Sequence, residues 1–190
     1  GPLFFLAIYT GLRRSELLGL RWSAIDLGHR TMSITETLHV VKGKGLVSLE
    51  PKSDRSRRLV SLAPDASALL AGLKIKQREQ REIQGLEWRE SGYVFCHADG
   101  SPFYPNTVSK RFSELVKKAR IPHVRLHDMR HTHATLMLKE GVNPKTVAER
   151  LGHSSVVITL DTYSHVLPGL QEEAALKFEE GMRRAVRVEQ

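Results

Sequence analysis

Cysteine is nearly absent from the sequence, and long apolar segments are missing. Cys96 is the only cysteine among 190 residues, which rules out an internal disulfide and suits a reducing cytoplasm. The longest apolar run, at residues 3–9, is far shorter than the roughly 18 residues that cross a bilayer, and it lacks the basic lead-in of a secretory signal. Repeats and low-complexity segments are also missing. We therefore expect a cytoplasmic chain that forms one globular domain and does not use a membrane.

Acidic residues are in the minority. Lys and Arg number 29 against 21 Asp and Glu, which gives a net charge of +8 and a pI near 9.8. Each phosphate that a cation neutralises releases bound counterions, so this surplus favours a nucleic-acid partner. Ribosomal, membrane-surface and heparin-binding proteins share the same surplus. The four histidines between His127 and His153 are more informative.

Hydrophobic spacing predicts a mainly helical chain with a small antiparallel sheet. Alternating polar and apolar residues predict three short strands at 31–38, 46–49 and 58–62, with turns at 43–45 and 51–54. Another short strand is expected at 93–95. Helical spacing and breaker residues predict helices at 3–9, 15–20 (with Ser15 as its cap), 64–83, 106–119, 127–140, 145–151, 155–163 and from 170 onward.

Four separated motifs carry residues that suit one site. In chain order they are Thr10-Gly11-Leu12-Arg13-Arg14-Ser15-Glu16-Leu17, Pro51-Lys52-Ser53, His127-Asp128-Met129-Arg130, and Leu151-Gly152-His153 with Tyr163 ten residues later. Each motif alone is weak. Their joint order and spacing, over roughly residues 9–166, resemble the tyrosine recombinases of the phage-integrase type. In that family the motifs carry an arginine, a strand-tip lysine, His-x-x-Arg, Leu-Gly-His and a nucleophilic tyrosine.

The same residue types suit the cleavage of a phosphodiester bond, which needs a nucleophile, cations for the phosphorane and an acid for the leaving oxygen. A tyrosine phenol has a pKa near 10, so a nucleophilic Tyr163 must lose its proton during attack or have its phenolate stabilised by cations. Arg13 and Arg130 suit the phosphate, because a guanidinium stays charged and can grip two oxygens. His153 is suited to donate a third hydrogen bond. His127 lies three residues before Arg130, on the same helical face.

The resemblance implies a role for each remaining motif residue. Lys52 becomes the acid that protonates the leaving 5′ oxygen, and Glu16 orients the site from behind Arg13. The fold implied is the tyrosine recombinase catalytic domain, and Tyr163 forms a 3′-phosphotyrosyl intermediate. Because that ester conserves the bond energy, no metal, ATP or other cofactor is expected.

The resemblance also implies partners and a setting. The substrate expected is double-stranded DNA at a core recombination site, in the bacterial nucleoid. Other recombinase protomers, in a tetrameric synapse, and an accessory directionality factor are the protein partners. The run at residues 160–165 resembles integrases of phages and conjugative elements, so we expect integration or excision of a mobile element.

Several basic residues have plainer interpretations. Arg14 is interpreted as a surface charge or a phosphate contact. Lys42 and Lys44 lie at a neighbouring strand turn, where they are competitors of Lys52 or further DNA contacts. Taken singly, every motif residue would be interpreted as solvated or as packing.

A zinc site is the other chemical possibility. His127 and His131 have the spacing of helical zinc ligands, but the glutamate of the zinc-protease motif is replaced by Asp128. Arg130 would also set a fixed cation beside the metal. We therefore expect no metal, and interpret His131 and His133 as packing or hydrogen-bonding residues.

Two rival functions remain open. A type IB topoisomerase shares the chemistry and fold, although the Leu-Gly-His-to-tyrosine segment argues against it. A DNA-binding regulator on the same fold would have no physical need to keep Tyr163, Lys52 and both arginines. A covalent adduct separates the regulator from the enzymes, and sequence-indifferent relaxation of supercoils would favour the topoisomerase.

The expected domain organisation is a catalytic core at residues 1–168 and a helical tail at 169–190. The N-terminal DNA-binding domains usual in the family are not recognisable in this sequence. An apolar stripe recurs every four residues in the tail, at Leu170, Ala174, Phe178, Met182 and Val186. The tail either folds back on its own core or packs against a neighbouring protomer.

Overall fold

A computed structural model describes residues 1–51, 56–163 and 170–188, and in the last of these ranges the side chains of 175–184. The helices are α1 (Pro2–Thr10), α2 (Arg14–Gly19), α3 (Pro64–Gln84), α4 (Pro105–Lys118), α5 (Asp128–Lys139), α6 (Pro144–Leu151), α7 (Val156–Tyr163) and α8 (Leu170–Val188). The strands are β1 (Ile25–Asp26), β2 (Thr31–Ile34), β3 (Thr37–Val41), β4 (Gly45–Leu49) and β5 (Arg58–Ser61). In the described part of the chain, no helix has the length and apolar character required to span a bilayer.

The strands form two separate antiparallel units. Strands β1, β2 and β5 make a three-stranded sheet in that order, with Met32 opposite Val60, and β3 and β4 make a hairpin. The prediction of a single strand at 31–38 is therefore wrong. Residues 31–34 belong to the three-stranded sheet as β2, and residues from 37 onward belong to the hairpin as β3. At the break, the carboxylate of Glu36 accepts hydrogen bonds from Arg21. The backbone of Glu36 also lies close to Gly19, because a Cβ added to Gly19 would lie 2.8 Å from the carbonyl oxygen of Glu36.

Two local predictions also need correction. Arg13, not Ser15, is the N-cap of α2, and its backbone N–H donates to the Glu16 carboxylate at 2.8 Å. Residues 93–95 do not form a strand, because Tyr93 makes only an isolated bridge with Arg21. The segment is held instead by side chains and by single backbone bonds, such as that from the Val94 N–H to the Leu20 carbonyl.

The buried apolar residues form two clusters. The larger one packs α1 and α2 against the three-stranded sheet, α3 and α4. The smaller one lies among α5, α6 and α7 and consists of Ala134, Leu138, Val147, Leu151 and Tyr163. Helix α1 packs against both α3 and α5, so it joins the two halves.

The end of α1 is pressed against α5 and α6. Gly11 caps the helix with φ +66°, a left-handed conformation that favours glycine. A Cβ at this position would lie 2.6 Å from side-chain carbons of both His133 and Leu151. Because Gly11 has no side chain, the backbone can turn close to α5 and α6. This turn places Arg13 near the C-terminal end of α6.

Helix α8 carries exposed apolar side chains. Phe178 is 71% exposed, and Leu176 and Met182 are each about half exposed. Within its described side chains, the predicted apolar stripe is thus not buried against the core of its own chain.

The close packing at Gly11 predicts an unusual cost for adding a methyl group. Gly43 is the matched control, because it has φ +79° and a Cβ added there would meet nothing within 4 Å. We expect Gly43→Ala to cost about 1 kcal/mol for its left-handed backbone. Gly11→Ala should cost roughly 1–3 kcal/mol more through overpacking, measured by urea unfolding. Equal losses at the two positions would contradict the close approach of α1 to α5 and α6.

Candidate active site

An open pocket of about 390 Å³ lies where the ends of α1, α6 and α7 meet the start of α5. The described residues that line it are Arg13, Ser56, His127, Arg130, His131, Gly152, His153, Ser154, Ile158, Thr162 and Tyr163. Five of the six residues predicted to be catalytic lie in this pocket, although they come from four separate parts of the chain. The sixth, Lys52, lies outside the described residues.

The C-terminal end of α6 binds three arginines. Arg58 donates to the carbonyl of Arg150 at 2.7 Å and Arg130 to that of Leu151 at 2.7 Å. Arg13 donates to the carbonyl of Gly152, more weakly, at 3.4 Å. The last carbonyls of a helix have no partners within it and carry partial negative charge, so they attract cations. Gly152, with φ +69°, ends the helix at this point.

Glu16 supplies the acidic counterpart of two of these arginines. Its side chain is 2% exposed, and both its oxygens receive bonds of 3.0 Å from Arg58. Arg13 donates from its side chain at 2.9 Å and from its backbone at 2.8 Å. Burial alone would raise the pKa of the Glu16 carboxyl, but the bonds and charges of Arg58 and Arg13 outweigh it and lower the pKa below 4.5.

Arg130 is the buried cation of the pocket. It is 4% exposed, and its Nη1 donates to the Gly11 carbonyl at 2.8 Å. Desolvation, followed by the charge of Arg13, lowers the pKa of its guanidinium to about 10. Arg130 therefore remains a cation at neutral pH, held between the end of α1 and the end of α6.

His127 and His153 both line the pocket, and both have a lowered pKa. His127, the residue before α5, is exposed, and burial of part of its ring and the charge of His131 lower its pKa. His153 follows α6, and burial together with the charge of Arg130 lowers its pKa to about 4. Its Nδ1 is hydrogen-bonded to the fully buried hydroxyl of Thr159 at 2.8 Å, which leaves Nε2 for a ligand.

Tyr163 ends α7 with its ring in the smaller core cluster. The residue is 3% exposed, and its oxygen lies 2.8 Å from Nδ1 of His131 in a hydrogen bond. Burial raises the pKa of the phenol, and the charge of Arg130 offsets part of this. His131 also contacts the ring of His127 edge to face, at 5.1 Å between centroids. The interpretation of His131 as a hydrogen-bonding residue agrees with this contact, although the sequence did not indicate its partner.

The model of the phage integrase family matches residues 3–169. The chain belongs to the phage integrase family. It is 34% identical over 177 residues to a XerC-like tyrosine recombinase of Caldanaerobacter subterraneus subsp. tengcongensis, covering 87% of this chain and 45% of that protein. It is 32% identical over 177 residues to the ICEBs1 integrase of Bacillus subtilis, covering 93% and 48%.

Solved structures agree with this membership. The Tn1549 transposon integrase, in complex with circular intermediate DNA, aligns with a TM-score of 0.76 and 26% identity, covering 94% of this chain and 58% of that one. XerA recombinase aligns with a TM-score of 0.66 and 25% identity, covering 91% and 55%. The predicted tyrosine recombinase catalytic-domain fold is therefore confirmed. The chain spans about half the length of the curated relatives it matches.

The residues predicted to contact DNA lie outside this pocket. Arg14 donates to the hydroxyl of Ser109 at 2.7 Å and to the carbonyl of Pro105 at 3.4 Å, which fastens α2 to α4. Lys42 and Lys44 are exposed on the turn between β3 and β4. In the described parts of the chain, no cluster of three histidine, cysteine or carboxylate side chains is arranged to hold a metal ion.

Arg58 was missed by the sequence interpretation. Strand alternation puts it on the same face as Val60 and Leu62, which are buried, whereas Leu59 is 65% exposed. An arginine at an inward-facing strand position requires a buried partner, and that was the available signal. Arg150 was also missed, and it donates to the carbonyls of Ser61 and Tyr9.

The buried pair of Arg58 and Glu16 predicts a large loss on truncation. Arg58→Ala leaves a buried carboxylate without its bidentate partner, and we expect about 3–5 kcal/mol of lost stability at neutral pH, measured by urea unfolding. Arg125→Ala is the control, because its pair with Asp128 is exposed and should contribute little.

The same variant has a defined pH dependence. The pKa of Glu16 is lowered in the folded state, so the stability from its ionised form is present above the ordinary carboxyl pKa. It is lost as the pH falls through the lowered value. The cost of Arg58→Ala should therefore shrink on acidification, and a cost independent of pH would contradict the ion pair.

Proposed function

We propose that this chain is the catalytic domain of a site-specific recombinase that cuts and rejoins DNA through a covalent bond to Tyr163. One observation carries the proposal: the phenol of Tyr163 lies in the same pocket as Arg13, Arg130 and His153. A nucleophile beside cations and a hydrogen-bond donor meets the needs of phosphoryl transfer. Membership of the phage integrase family supports the same reaction.

The two arginines bind the scissile phosphate. A guanidinium has five N–H donors, and Arg130 uses two nitrogens on the carbonyls of Gly11 and Leu151 while keeping donors for a ligand. Arg13 is similarly held by hydrogen bonds that it donates to the Glu16 carboxylate and to the Gly152 carbonyl. Because both are held before the substrate arrives, they stabilise the growing charge of the phosphorane with little rearrangement.

His153 donates the third bond to the phosphate. When the Thr159 hydroxyl donates to Nδ1, the ring proton lies on Nε2, which can then donate to a phosphate oxygen. Thr159 thus selects the tautomer that suits the reaction. His127, which also lines the pocket, completes the set of donors around the phosphate.

The reaction is a transesterification. The oxygen of Tyr163 attacks the phosphorus and forms a 3′-phosphotyrosyl ester while the bond to the 5′ oxygen breaks. The leaving oxygen takes a proton and becomes a 5′ hydroxyl. A 5′ hydroxyl of a partner strand reverses the step, and because the ester keeps the bond energy, neither ATP nor a metal is needed.

Lys52 is the proposed donor of that proton. Lys52 precedes Ser56, which lines the pocket, by four residues in the sequence. A lysine ammonium on a flexible stem suits general acid catalysis. Lys42 and Lys44 remain proposed contacts to the DNA backbone.

The proposed substrate is double-stranded DNA, bound by several protomers together. The Tn1549 integrase has been solved with transposon-end and circular intermediate DNA, which supports a DNA substrate here. The charge of +8 supports the same partner. The exposed apolar side chains of α8 suit a tail that packs on a neighbouring protomer, in a tetrameric synapse with a directionality factor.

A trapped adduct tests the function. With a nicked suicide duplex that carries the core site of the element, the wild-type protein should give a slow band on a denaturing gel. Tyr163→Phe should bind the DNA equally well yet give no slow band, because the nucleophilic oxygen is gone.

Each outcome of the trapping experiment is informative. An adduct that persists in Tyr163→Phe would overturn the nucleophile assignment. Binding without any adduct from the wild-type protein would instead support a regulator, and relaxation of supercoils without sequence preference would support a topoisomerase.

The neighbouring arginines give a matched comparison. Arg13→Ala should slow cleavage by roughly 10²–10³-fold, since it removes a contact that strengthens in the transition state. Arg14→Ala should be far milder, because Arg14 bonds to α4 outside the pocket. Single-turnover rates on the same duplex provide the measurement. Equal losses at the two positions would mean that Arg13 does not bind the phosphate.

A further inference from the structure

The hydrogen bond between Tyr163 and His131 has no role in the reaction described so far. The phenolic oxygen and Nδ1 are 2.8 Å apart, and the two rings lie 5.8 Å apart between centroids. Tyr163 is 3% exposed and His131 partly buried, so bulk water has limited access to the phenolic proton. A histidine nitrogen in contact with the attacking oxygen is positioned to exchange a proton with it.

Helix α5 presents His131 and Arg130 to different parts of the pocket. Neighbouring residues on a helix point about 100° apart. Arg130 accordingly reaches the ends of α1 and α6, while His131 reaches α7. One rigid element thus supplies a phosphate-binding cation and a contact to the nucleophile.

The attacking phenol needs a proton acceptor. A free tyrosine is only about a thousandth ionised at neutral pH, and burial raises the pKa of Tyr163 further. General base catalysis requires an acceptor within hydrogen-bond distance of the proton. An imidazole is the side chain best suited to that task near neutrality.

The other pocket histidines are less suited to this task. His153 has its Nδ1 bonded to Thr159, and its pKa is lowered to about 4. His127 contacts His131 rather than the phenolic oxygen, and its pKa is also lowered. Among the described residues, His131 is therefore the histidine in hydrogen-bond contact with the nucleophile.

We propose that His131 accepts the phenolic proton of Tyr163 during DNA cleavage and returns it during rejoining. The inference rests on the proposed function. As the Tyr163 oxygen forms its bond to phosphorus, its O–H electron pair stays on oxygen and the proton moves to Nδ1. The 5′ oxygen leaves with a proton from the general acid, and both transfers reverse when the strand rejoins.

His131 lies among several titratable and charged groups. The titratable and charged groups around it are His127, Asp128, Arg130, His153 and Tyr163. Among them the Asp128 carboxylate is negatively charged and Arg130 is positively charged.

Replacement of His131 by asparagine separates proton acceptance from positioning. In His131→Asn the amide oxygen can occupy the place of Nδ1 and accept the tyrosine hydrogen bond, but it takes up no proton at neutral pH. Single-turnover cleavage of the suicide duplex should slow roughly 10²-fold or more, with unchanged DNA affinity. His123→Asn, an exposed histidine outside the pocket, is the matched control and should cleave at the wild-type rate.

The pH profile is the second readout. The rate of His131→Asn should rise steadily with pH, because hydroxide must then remove the phenolic proton, whereas the wild-type rate should depend less on pH. A His131→Asn rate within a few-fold of wild type, or the same profile for both, would reduce His131 to a positioning residue and overturn the proposal.

Nitrogen NMR of the imidazole gives a test that needs no activity. In the wild-type protein, Nδ1 of His131 should be unprotonated and accept a bond from Tyr163, and its shift should change in Tyr163→Phe. A protonated Nδ1 that donates to the phenol would overturn the proposal. A wild-type adduct with a fast His131→Asn variant would overturn this inference alone, whereas no wild-type adduct would overturn the proposed function with it.

Discussion

The carbonyls at the C-terminal end of α6 are the interaction on which the site depends. Three consecutive carbonyls, at residues 150–152, accept bonds from Arg58, Arg130 and Arg13, which come from a strand, a helix and a turn. A helix end attracts cations through partial charges rather than a full negative charge. It can therefore fix guanidinium groups in place while cancelling little of their charge. The Glu16 carboxylate balances part of the charge of Arg13 and Arg58, whereas Arg130 is held by the carbonyls of Gly11 and Leu151.

The balance of charge in the pocket follows from this arrangement. Glu16 lies beneath Arg13 and Arg58, and none of the described residues that line the pocket is acidic. Closely spaced cations repel one another, which costs stability in the empty protein and is relieved when an anion binds. Burial raises the pKa of the Tyr163 phenol, so the proposed attack on a phosphate would need a neighbouring proton acceptor.

The sequence motifs predicted which residues line the pocket, but they did not predict how the surrounding elements pack. Arg13, Arg130 and Tyr163 are far apart in sequence, yet the order and spacing of their motifs, which resemble those of a known family, indicated one site. Alternation predicts one continuous strand at 31–38, whereas the structure has two strands. Local alternation does not encode the contact between Arg21 and Glu36, which lies at the break between them. The contact from His131 to Tyr163 depends on how α5 packs on α7, which local spacing does not encode.

Identification of the residue that carries DNA tests the central claim most directly. The covalent complex trapped on a suicide duplex would be digested with protease and nuclease, and the modified peptide sequenced by mass spectrometry. The account predicts a nucleotide joined through its 3′ phosphate to the oxygen of Tyr163. A nucleotide on any other side chain, or one joined through its 5′ phosphate, would contradict it.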